Sequence, residues 1–153
     1  PMAEILLLFA ARIMHVEQII KPALADGKIV ICDRFTDSTR AYQGHGHEMD
    51  LSQIDQINAL TLGGFKPDLT FILDIDPKEG LKRSDRRLAA EQFQVKHRED
   101  RDEQLDIEFH QRLRQGFLSI AEQEPERCHI IPAIQDIDTI SGQIADIVRE
   151  KVE

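Results

Sequence analysis

The 153 residues suffice for one ordinary domain and fall short of two. Hydrophobic residues make up 41% and charged residues 31%, with 8 Gly and 6 Pro, which excludes disordered, collagen-like and low-complexity chains. Acidic residues outnumber basic ones 28 to 19, and the net charge of -9 argues against a general binder of nucleic acid or anionic membrane.

Residues 4–24 read as a helix. Leu7, Leu8, Ala11, Val16, Ile19 and Ile20 roughly keep one face apolar, Arg12 and His15 interrupt it, and the segment from Pro22 to Gly27 closes it. Ile29, Val30, Ile31 and Cys32 then form a short apolar run without polar alternation, the pattern of a strand covered on both faces, as in a parallel sheet. The same form recurs at 69–73 and 128–131. Helical stretches are expected at about 37–43, 51–62, 77–90, 103–124 and 136–152, with Asp50 or Ser52 capping the second and Asp76-Pro77 starting the third. Strands separated by helices predict a single α/β domain over 1–153, a three-layer parallel sheet with helices on both faces. No run approaches the roughly 18 apolar residues of a membrane span. The two cysteines, Cys32 and Cys128, cannot form a disulfide framework, so a reducing cytoplasm is expected.

Lys82, Arg83, Arg86, Arg87, Lys96, Arg98 and Arg101 place seven basic residues within twenty, among few apolar anchors. Such a run reads either as a solvated helix with internal ion pairs or as a lid closing basic side chains over phosphates. His45, His47, Glu48 and Asp50 have the outline of a metal cluster but lack the longer-range spacing of structural sites.

Asp33 and Arg34 stand at the carboxyl end of an apolar run, where open α/β sheets bind ligands. A carboxylate there can hold hydrated Mg²⁺, and an adjacent guanidinium can grip phosphate bidentately. Around this pair, in order, lie Phe9-Ala10-Ala11-Arg12, Ile20-Lys21-Pro22-Ala23-Leu24, Asp33-Arg34-Phe35-Thr36-Asp37-Ser38-Thr39, Ala41-Tyr42-Gln43-Gly44, Pro67-Asp68-Leu69-Thr70 and Gly80-Leu81-Lys82-Arg83. So arranged, the chain resembles the bacterial thymidylate kinase (dTMP kinase) family, of the P-loop nucleoside monophosphate kinase group.

The resemblance implies transfer of the ATP γ-phosphoryl group to dTMP with Mg²⁺, by a cytoplasmic homodimer. It places Asp33 by the metal, through water, and by the transferred phosphoryl group, and puts Arg34 on the dTMP phosphate. Arg12 faces the thymine edge, Thr39 and Gln43 supply hydrogen bonds to the base, and Phe9 and Tyr42 shape the pocket, Tyr42 against the sugar. Arg101 takes a catalytic position, and Arg83, Arg87, Lys96 and Arg98 belong to a lid of about 82–101 that reaches the ATP phosphates. The chain departs from the family at His47-Glu48, where an Arg in a Gly-rich stretch is expected, and carries an insertion around 86–97.

None of the eight glycines begins the G-x-x-x-x-G-K-[S/T] phosphate loop. The resemblance places that loop, its strand and a second strand ahead of residue 1, so these residues alone are expected to be an inactive piece of a kinase. The competing expectation is a non-catalytic nucleotide-binding or interaction domain that has lost the loop.

Overall fold

The computed structural model describes residues 2–90 and 106–152, without the side chains of 85 and 87–90. The chain forms two compact units, Pro1–Pro67 and Asp68–Glu153.

In the first unit, α1 (Met2–His15) runs through a wider π-type stretch, Val16–Ile20, into α2 (Lys21–Ala25). This is the helix read at 4–24. It buries a narrow face: Ile5 and Phe9 pack on Ile54 of α4 (Leu51–Leu62), while Val16 and Ile20 pack on Phe35. Full burial of such a side chain is worth about 1.5–3 kcal/mol. Asp50 caps α4 by accepting from the Ser52 amide at 2.9 Å, and Gly63, in the left-handed region at φ 58°, ends it. Between them α3 (Thr36–Thr39) continues as a second π-type stretch, Arg40–Gly46.

The strand expected at 29–32 does not form. Ile29 and Ile31 are 73% and 94% exposed, whereas Val30 and Cys32 pack against the Val16, Ile20 and Phe35 cluster. The segment is covered on one side only. Among the described residues no neighbouring strand takes its backbone groups, and β structure requires that ladder.

In the second unit, β1 (Thr70–Asp74) pairs in parallel with β2 (Cys128–Pro132), in register from Thr70 opposite Cys128 to Asp74 opposite Pro132. The connection carries α5 (Pro77–Ala90) and α6 (Ile107–Gln123), and α7 (Ile137–Val152) follows β2. α6 packs on both strands and α7 on β2, which is the expected α/β class, although the sheet among the described residues has two strands. The Asp76 side chain accepts from the Lys78 amide at 2.9 Å, so it caps α5 as read. The expected start of α6 at 103 lies outside the described residues.

Asp74, at the end of β1, receives both Nε (2.7 Å) and Nη2 (2.8 Å) of Arg114 from α6. Those hydrogen bonds, with the cation's charge, hold its carboxyl below the usual aspartate range, against a smaller opposing effect of burial. A carboxyl lowered on folding contributes stability that is complete above its unfolded value and is lost as pH falls through the folded one. Urea unfolding from pH 7 to 2.5 is therefore expected to show an acid decline that flattens in Asp74→Asn. An unchanged slope would remove the pair from the acid response.

Candidate functional site

The candidate residues of the first unit are brought together by α1 and the helical segment 36–46. Arg12 lies two turns beyond Glu4 on α1, and Gln43 lies four residues beyond Thr39. The Arg12 Nη2 donates to Thr39 Oγ1 at 3.1 Å and to the Phe35 carbonyl at 3.3 Å. Gln43 Nε2 donates to Glu4 Oε1 at 3.3 Å. The two polar rungs connect early α1 to late 36–46 and late α1 to early 36–46, so the segments run antiparallel.

The Arg12 guanidinium lies over two rings, its Cζ 4.8 Å from the Phe9 centroid and 5.5 Å from that of Phe35. Burial lowers its proton affinity, opposed by the nearby Cys32 and Asp37, yet a guanidinium stays charged at any physiological pH. Its Nη1 is buried and has no hydrogen-bond partner among the described residues. A buried, unused donor of a charged group is costly, and an acceptor arriving from a ligand would satisfy it.

Gln43 and Thr39 are buried, 7% and 2% exposed. At Gly44 a Cβ would collide with Cδ2 of Leu51, so glycine allows the side chain of Leu51 on α4 to approach this stretch closely.

Asp33 and Arg34 are exposed in the turn before α3. Arg34 has φ 63°, a left-handed conformation that costs a non-glycine residue energy. Its guanidinium stands over Tyr42, 5.0 Å from the ring centroid. Cys32 Sγ donates to the Arg34 carbonyl at 3.4 Å. Burial raises the pKa of that thiol, with Arg12 opposing and Asp33 adding to the rise, so it is no activated nucleophile.

The structure thus gathers Phe9, Arg12, Thr39 and Gln43, and holds Arg34 on Tyr42 beside Asp33. In the second unit Arg83 is exposed and donates to the Ala133 carbonyl at 2.7 Å. The side chain of Arg87, and all of Lys96, Arg98 and Arg101, lie outside the described residues, as does most of the expected lid. Sequence reading passed over Glu4 and the Phe35 carbonyl. A carboxylate eight residues before Arg12, on the same helix face, was the available signal for the first; nothing in the sequence marks the second.

Among the described residues no group of three His, Cys, Asp or Glu side chains could hold a metal, and Asp50 of the histidine loop serves as a helix cap. The exposed Asp33 carboxylate nevertheless fits Mg²⁺, which keeps most of its water and takes one or two carboxylates plus nucleotide phosphates. No helix among the described residues is long and apolar enough to cross a membrane.

The thymidylate kinase family model matches residues 1–144. The chain is 43% identical over 152 residues to a thymidylate kinase of Caulobacter vibrioides, covering 99% of this chain and 69% of that protein. It is 46% identical over 151 residues to one of Acaryochloris marina, covering 99% and 64%. Among solved structures, the thymidylate kinase from Ehrlichia chaffeensis superposes with a TM-score of 0.71 at 37% identity, over 97% of this chain and 64% of that one. The chain therefore spans 64% to 69% of the length of these relatives.

Proposed function

Since this chain belongs to the thymidylate kinase family, we propose that its full-length protein transfers the γ-phosphoryl group of ATP to dTMP, giving dTDP. One observation carries the acceptor side of this reading: the Arg12 guanidinium, held over two rings, has Nη2 engaged and Nη1 buried without a partner among the described residues. A carbonyl oxygen of a neutral base would satisfy such a donor, and thymine offers one at its 4-position.

Thr39 and Gln43 then complete the base edge and Tyr42 provides an apolar surface for the sugar, whereas Phe9, 1% exposed and packed on Ile54, supports the Arg12 guanidinium from within the core and offers the base no free face. Arg34, stacked on Tyr42 with its fork exposed, grips the acceptor phosphate. Asp33 would hold Mg²⁺ through water; the ion, when bound with ATP, neutralises charge on the transferring group. In the reading's fuller form Arg101 is catalytic, Arg83, Arg87, Lys96 and Arg98 close on the ATP phosphates, and the protein works as a cytoplasmic homodimer without nucleic-acid or membrane partners. A non-catalytic role has no observation in its favour.

Steady-state turnover with dTMP and Mg-ATP tests the reaction. Gln43→Ala should raise KM for dTMP by roughly 5- to 150-fold, since an unpaired polar edge costs about 1–3 kcal/mol. No dTDP formation by the full-length protein would refute the reading, and an unchanged KM would remove Gln43 from the base site.

A further inference from the structure

Gln43 carries a carboxamide, whose oxygen and nitrogen have similar size and opposite hydrogen-bonding character. Which end meets a ligand depends on what holds the other end. Here the Nε2 end lies 3.3 Å from Oε1 of Glu4, two residues beyond the start of α1 on a segment tied to 36–46 a second time by Arg12 and Thr39. An ionised carboxylate only accepts hydrogen bonds, so it admits the NH₂ end of the amide and rejects the oxygen. Gln43 is only 7% exposed, so its amide cannot turn freely to escape this choice.

We propose that Glu4 is a positioning residue for base selectivity, locking the Gln43 amide so that its Oε1 is the acceptor offered to the nucleobase. The proposal rests on the acceptor site described under Proposed function. An outward oxygen matches a base that presents an N–H, as thymine does at N3. Cytosine presents a lone pair at the same position and opposes acceptor to acceptor. Arg12 acts in the same sense one atom further round the ring, where its unused N–H suits a 4-oxo group and clashes with a 4-amino group. The acceptor-donor edge of a 4-oxo pyrimidine is thus read by a donor-acceptor pair, and Glu4 determines which half of Gln43 serves in it. A neutral glutamine at position 4 would accept either end of the Gln43 amide and release the lock.

The test is Glu4→Gln in the full-length enzyme, assayed with dTMP and with dCMP. KM for dTMP should rise about tenfold with kcat within about twofold, and the dCMP/dTMP ratio of kcat/KM should rise about tenfold. In a Gln43→Ala background the same substitution should change that ratio less than twofold, because its effect passes through the amide. A ratio unmoved by Glu4→Gln, or moved equally with and without Gln43, overturns the proposal. One measurement needs no variant at position 4: the wild-type enzyme should use N3-methyl-dTMP at least about tenfold less well than dTMP, and equal use overturns the outward acceptor. A wild-type enzyme that does not phosphorylate dTMP defeats the functional reading and this inference together. Turnover of dTMP with no response at position 4 defeats this inference alone.

Discussion

Asp33→Asn and Arg34→Ala are each expected to lower the turnover of dTMP by the full-length enzyme by about 10²–10³-fold. Phosphoryl transfer leaves little covalent work to the protein, so most of the rate comes from positioning and from charge placed near the transferring group. The asparagine keeps the size of Asp33 and removes its charge. Alanine at 34 removes the fork proposed to hold a dianion, together with the stack on Tyr42. Both side chains are exposed, so neither substitution should shift the thermal midpoint by more than a degree or two. That separates a chemical loss from a folding loss. Activity within threefold of wild type in Asp33→Asn would remove that carboxylate from the reaction.

The second large effect concerns stability and lies in the other unit. Arg127→Met should cost about 3 kcal/mol in urea unfolding. Arg127 is 6% exposed, and its guanidinium donates to both Glu124 oxygens, at 2.9 and 3.0 Å, and to Thr70 Oγ1 at 2.6 Å. Its own carbonyl accepts from the Thr70 amide at 2.8 Å. One residue therefore ties the turn before β2 to the first residue of β1. Methionine preserves the stem's packing but leaves Glu124 and Thr70 without those donors, and breaking a buried pair from one side typically costs about 3–5 kcal/mol. Glu124 is one-third exposed, which allows water to recover part of the loss. A cost below about 1 kcal/mol would show that the turn holds without this pairing.

The elements legible in the sequence are those whose signals are local. The Asp50 cap marked the start of α4 at 51–62, and Asp76-Pro77 that of α5. The runs at 70–74 and 128–132 became strands because they found each other. The run at 29–32 has the same composition and no pairing partner among the described residues, so its apolar character alone could not make it a strand. The π-type stretches at 16–20 and 40–46 were also hidden, since a periodicity of 3.6 residues is too coarse to register one wider turn.

The candidate site was legible through its ordered motifs, not through any one residue. An Arg at position 12 of an apolar helix signals a need for a partner, but the partners prove to be a hydroxyl 27 residues away and a main-chain carbonyl. Asp74, at the end of β1, receives an arginine from α6, a side chain 40 residues along the chain. Long-range pairings of this kind leave no periodic trace. The pairing of Glu4 with Gln43, 39 residues on, is equally long-range, and its one local signal was the helix face that Glu4 shares with Arg12.

The left-handed backbone at Arg34 has a consequence for how this position can vary. Its φ of 63° suits glycine, which alone among the residues adopts it without steric penalty. Glycine would also erase the guanidinium. If Arg34 grips phosphate as proposed, selection for robustness and selection for that grip pull on one codon in opposite directions, and a library sorted only for folded protein would enrich variants that have lost the guanidinium.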